Sequence, residues 1–185
     1  QSMAKPVYRA TVDRNPACST IIFVPSKKLA HSTAADLIAF STNEGRGEAF
    51  LGPNIEILRG KIAPITDTSL RESLNHGIAV LHQGLSSSNQ DVAISLFKSG
   101  SARVLVCPHD MCWHGLPYSH QVVIMDSSYY DGRQRRFVQY AFTDIMQMMG
   151  IASLPLPSYQ EEDSSINMKQ NVCVLLCHSP KKEYL

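Results

Sequence analysis

Five short apolar runs rich in β-branched residues recur along this chain, at residues 19–24, 78–81, 102–107, 121–126 and 171–177. They are apolar almost throughout, so each strand they form must be covered on both faces. Segments with helical spacing lie between them. Ser26 is placed to cap a helix in which Leu29, Thr33, Leu37 and Phe40 recur at three- and four-residue steps. Thr66 or Asp67 opens a shorter helix with Leu70 and Leu74 inward, and Gly77 suits its C-terminal end. Ser86 begins a helix carrying Val92, Leu96 and Phe97, closed by Gly100. Residues 143–149 read as a Met-rich helix stopped by Gly150 and then by Pro155 and Pro157. Strands alternating with helices predict an α/β fold, a mainly parallel sheet flanked by helices in three layers. Two stretches are expected to be variable loops: residues 41–65, rich in Gly and Pro, and the polar, acidic residues 158–170.

Length and composition sharpen this. A chain of 185 residues fits one domain with a real core. Charged residues make up 18%, below the roughly 25% of an ordinary domain, which suits a doubly covered sheet or a surface partly buried against neighbours. The net charge of +1 gives no strong basic field, so any nucleic-acid contact should be short or shared with other domains. No apolar run approaches the ~18 residues of a membrane span, and the start shows no signal-peptide pattern. The last five residues end where a helix could begin, so the chain is expected to be excised from something larger.

In a parallel sheet, ligands gather at the carboxyl ends of the strands, here residues 25–28, 82–86, 108–114 and 126–132. Three chemistries are available to weigh. Cys107, His109, Cys112 and His114, with Cys173, Cys177 and His178, invite a metal, but their spacings are not the paired knuckles of zinc ribbons. Cys107, Cys173 and Cys177 also fall in predicted buried strands, where Cys behaves as a small hydrophobe, and five cysteines without a small-scaffold spacing suggest reduced thiols. No metal site is expected. Cys112 as a nucleophile lacks a clear activating neighbour, so no catalytic residue is assigned. Nor does the chain contain a Gly-x-x-x-x-Gly-Lys-Ser/Thr loop to cradle a triphosphate. Met146, Met148 and Met149 read as core or interface filler. Arg133, Arg135 and Arg136 read as a solvated loop, or else as a contact for phosphate or an acidic partner.

The order of the segments carries a resemblance. Ile21-Ile22-Phe23-Val24-Pro25-Ser26-Lys27-Lys28 resembles the opening motif of the second RecA-like domain of superfamily-two DExH RNA helicases. His82-Gln83-Gly84-Leu85 is similar to the His-x-Gly-Leu/Met turn that follows there. Residues 104–113, ending in Cys112-Trp113, resemble that family's next strand, loop and helix start, and residues 120–132 its next strand and tyrosine loop. Residues 144–155 stand at the Gln-x-x-Gly-Arg-Ala-Gly-Arg-Pro position. The likeness runs from about Lys5 to the last residue, excepting the two loops. Within the superfamily it points to the divergent C-terminal cassette of the large two-cassette spliceosomal helicases.

The resemblance implies that Ser26, His82, Gly84, Ser86, His109 and Asp110 face RNA. It places His114, Gln147, Gly150, Ile151 and Leu154 toward nucleotide. Ile151 and Leu154 stand where active relatives place arginines, and an aliphatic side chain cannot neutralise phosphate charge. His114 replaces a usual glycine and Leu116 a usual asparagine. The implied function is therefore a degenerate RecA-like domain serving as an interaction and regulatory platform in pre-mRNA splicing. ATP and Mg²⁺ would belong at most to the parent cassette. Implied partners are the first RecA-like and downstream domains of the same chain, spliceosomal proteins and weakly held RNA backbone, in the nucleus. Two alternatives remain open: a working ATP-binding, RNA-unwinding motor half, and an α/β thiol or zinc enzyme.

Overall fold

A computed structural model describes residues 3–13, 18–153 and 171–177. The predicted runs form five parallel strands: β1 (Thr20–Val24), β2 (Ile78–Val80), β3 (Val104–Pro108), β4 (Gln121–Met125) and β7 (Val172–Leu176). Their order is β2-β3-β1-β4-β7. Thr20 registers with Val104 on one side and Gln121 on the other, so β1 is the centre of the sheet. Every residue of β1, β2, β3 and β4 is buried, which is what their unbroken apolar patterning demands. β7 departs from expectation. It is one of the two edge strands, and all five of its residues, Cys173 among them, are only half-buried, as is Cys177.

Helices cover the sheet. α1 (Ala4–Val12), α2 (Lys27–Asn43) and α4 (Thr68–Asn75) pack side by side, α2 touching both of the others. α5 (Ser87–Lys98) and α6 (Phe142–Gly150) belong to crossovers running the other way along the sheet, so right-handed connection puts them on the opposite face. The three-layer α/β expectation is met, and the arrangement is consistent with a RecA-like domain.

The cap residues act as the sequence suggests. Ser26 Oγ accepts from Leu29 N at 3.3 Å and Ser86 Oγ from Asn89 N at 3.3 Å. Asp67, rather than Thr66, caps α4, accepting from Ser69 N and Leu70 N at 3.0 and 3.1 Å. Gly77 follows with φ +78°, and a Cβ there would collide with the carbonyl of Phe50.

Four expectations need correction. Residues 41–65 are not one loop, because α2 runs on to Asn43 and a further helix, α3 (Ile55–Ile62), buries Leu58 and Ile62. Gly52, Pro53 and Pro64 flank α3 rather than interrupt it, and Gly60 lies on its exposed side. The N-terminal helix α1 was not anticipated; Pro6 sits in its first turn, where a missing N–H costs no helical bond. Gly150 does not stop α6 but is its last residue, with Ile151 as the C-cap. Finally, the arginine run is not a plain loop. β5 (Ser128–Asp131) and β6 (Arg136–Gln139) form an antiparallel hairpin. Arg133 and Arg135 lie in its turn, where Arg135 takes φ +51° and Asp131 Oδ1 accepts from Arg133 N at 2.8 Å. The expected loop at 158–170 lies outside the described residues.

Candidate functional site

The parallel sheet delivers the ends of β1, β2 and β3 to one edge, and most of the motif residues collect there. Ser26 and Ser86 are exposed at the starts of α2 and α5, with their hydroxyls engaged as caps. His82, two residues beyond the end of β2, is 3% exposed. Its Nδ1 accepts from Gly84 N at 3.0 Å, so the ring proton of the neutral form sits on Nε2. That Nε2 lies 3.0 Å from Nε2 of His31, whose Nδ1 lies 3.1 Å from Ser69 Oγ. The tautomers follow in series: His82 donates to His31, and His31 donates to Ser69. Burial, then the positive charge of Lys27, then His31 hold the His82 pKa below its ordinary value. Gly84 leaves room for Lys27, because a Cβ there would meet the Lys27 ammonium and the His82 ring.

His114 bridges the loops after β2 and β3. The Asp110 carbonyl can only accept, so His114 Nδ1 donates to it at 3.1 Å, leaving Nε2 to accept from the Gln83 amide at 3.4 Å. Asp110 and His114 are exposed. His109 differs from its neighbours. Its ring packs on Tyr129 and Tyr140, with centroids 4.4 and 4.7 Å away, and its buried Nδ1 has no hydrogen-bond partner among the described residues. Burial depresses its pKa, against the opposing charges of Asp110 and Asp144.

The residues of the last motif separate. Gln147 is half-buried and donates to the Cys112 carbonyl at 3.2 Å. Gly150 is exposed, with open space where a Cβ would stand. Ile151 is 4% exposed and part of the core, and its carbonyl accepts from Ser119 N at 2.9 Å. Leu154 lies outside the described residues. Leu116 leaves this edge altogether and lines a cleft toward the amino ends of the strands. Sequence reasoning included Lys27 and Tyr129 in motif stretches without giving either a role, and it did not single out His31, Ser69 or Tyr140. His31 follows the cap Ser26 by about one and a half turns of helix, which was the only signal it gave.

Cys112 is buried, and burial with the nearby Asp144 pushes its thiol up to about 11, the reverse of an activated nucleophile. Among the described residues no three His, Cys, Asp or Glu side chains converge as a metal set. No helix among them is long and apolar enough to cross a membrane.

No protein-family model matches the chain. Individual relatives do. The chain is 38% identical over 189 residues, its whole length, to a DExH-box ATP-dependent RNA helicase of Arabidopsis thaliana. It is 34% identical over 183 residues, 99% of the chain, to the U5 small nuclear ribonucleoprotein 200 kDa helicase of Homo sapiens. An activating signal cointegrator 1 complex subunit 3-like protein of Dictyostelium discoideum is 36% identical over 187 residues, again 99% of the chain. The chain is homologous to one domain of the DExH-box RNA helicases. It spans 8% of the length of each of these relatives, so the kinship is at the level of a domain. In this helicase-family domain, Ser26, His82–Ser86 and His109–His114 lie together along one edge of the sheet.

Proposed function

We propose that this domain is the second RecA-like half of a spliceosomal DExH helicase cassette, acting in the nucleus as a platform for protein contacts rather than as a phosphate clamp. One observation carries the reading: Ile151, at an arginine position of the family motif, is turned into the core. A clamp needs charge at the phosphate oxygens in the transition state, and removing such a group costs orders of magnitude in rate. Gln147 supports the same reading, since its amide is committed to the Cys112 carbonyl. The motif residues described here do not fit a triphosphate, and any ATP and Mg²⁺ would be held by the preceding domain of the parent. RNA would be touched weakly, through backbone and hydroxyl groups near Ser26, Gly84 and Ser86, which position a strand without reading it.

The test is RNA-stimulated phosphate release by the cassette that contains this domain together with the domain preceding it. The expected result is no stimulation by RNA. Stimulated turnover that disappears when this domain is removed would establish the motor half instead.

A further inference from the structure

Two clefts open toward the amino ends of the strands, opposite the motif-bearing edge, and Arg103 lines both. The larger, of about 640 Å³, is walled by Pro53, Leu116, Pro117 and Tyr118, with Lys98 and Arg103 as its lysine and arginine. Among the described residues no carboxylate lines it. Among the described residues neither the Lys98 nor the Arg103 side chain has an ion pair or hydrogen bond. Tyr118 is 59% exposed. The walls are preformed: Ser119 N donates to the Ile151 carbonyl at 2.9 Å, Ser119 Oγ to the Gln121 carbonyl at 2.8 Å, and the His120 ring is tied to Ser19 at 2.9 Å.

We infer that this cleft receives an acidic protein segment carrying an apolar anchor. An aspartate or glutamate side chain pairs with Arg103 and Lys98, where a guanidinium offers a forked match to a carboxylate. A leucine or aromatic side chain packs on Tyr118 and Pro117, and the rigid walls lower the entropic cost of ordering it. Charge complementarity selects the partner, because among the described residues two cations without an ionic partner and no acid line the cleft. RNA is the poorer occupant: two cations neutralise little of a phosphate backbone, and proline and leucine walls offer it no compensation for desolvation. The inference goes beyond the platform reading and does not depend on the state of the nucleotide site.

The experiment selects peptides from a random displayed library against the intact protein, then measures binding of labelled synthetic copies and of an oligouridylate. The expected peptides carry Asp or Glu beside Trp, Phe or Leu. Their affinity falls at least about tenfold in Lys98→Glu/Arg103→Glu and also in Tyr118→Ala, with melting temperature unchanged. Should the charge-reversed protein fail to fold, Arg103→Gln serves, since the Arg103 backbone bonds to Phe50 and Gly77 do not involve its side chain. Selection of no peptide, of peptides without acids, or of peptides indifferent to these substitutions overturns the inference, as does displacement of the peptide by oligouridylate.

Discussion

His82 Nε2 and His31 Nε2 stand 3.0 Å apart, and one proton between them satisfies both rings. Burial first, then the positive charge of Lys27 and then His31, disfavour a second proton on His82. His82 therefore binds its proton less readily folded than unfolded. Where the unfolded chain holds more protons, stability rises with pH. The contribution is intact above the ordinary histidine value near 6.5 and is lost progressively as pH falls below it; the depressed His109 adds to the same trend. Melting temperature should be level above pH 7 and decline through pH 6 and 5, with a shallower decline in His82→Gln. Parallel curves for the two proteins would reject this account.

Gly45 and Gly77 share a left-handed backbone, at φ +70° and +78°, but only Gly77 is hemmed in, by the Phe50 carbonyl. Gly45→Ala should cost about 1 kcal/mol, for backbone strain alone. Gly77→Ala must also displace a neighbouring backbone segment, and should cost at least about 3 kcal/mol. Urea unfolding of the two variants measures the difference directly.

Ile151→Arg is expected to fail as a simple repair of the nucleotide motif. The side chain occupies a core site that is 4% exposed, and burying an unpaired guanidinium costs several kcal/mol or forces the C-terminal end of α6 open. The variant should lose at least about 3 kcal/mol of stability by denaturant titration. An unchanged midpoint would mean that the arginine reaches solvent freely, and would reopen the motor reading.

Cysteine reactivity gives an independent check on burial. Cys112 and Cys173 are pushed up to about 11 by burial, and Cys107 well above its ordinary value. At pH 8 only about one thiol in a thousand would be ionised at such a value. Native-state labelling of all three by an aromatic disulfide should be at least about tenfold slower than in urea.

What the sequence made legible follows from periodicity and caps. β1 is apolar on both faces because it is covered on both, and Ser26, Asp67 and Ser86 announce helices because each side chain can replace a missing intrahelical partner. What stayed hidden depends on distant contacts. α3 owes its place to Leu58 and Ile62 finding the core between α4 and α5, and its Gly- and Pro-bounded sequence reads locally as a loop. The Asp131-Gly132 pair was a turn signal for the hairpin, yet the charged residues after it obscured the second strand. Nothing local links His31 to His82, 51 positions away. The inward turn of Ile151 was likewise not legible in the sequence.

The hairpin β5–β6 pairs with no strand of the main sheet and is seated at its base by Tyr129 and Tyr140 against His109. Each arm is four residues long, a reach of roughly 13 Å. A tilt of about 10° at the ring stack would thus carry the arginine tip through about 2 Å, by simple leverage on that length. The aim of that cationic tip is thus set by how three rings pack, at a point where the hairpin shares no strand pairing with the sheet among the described residues.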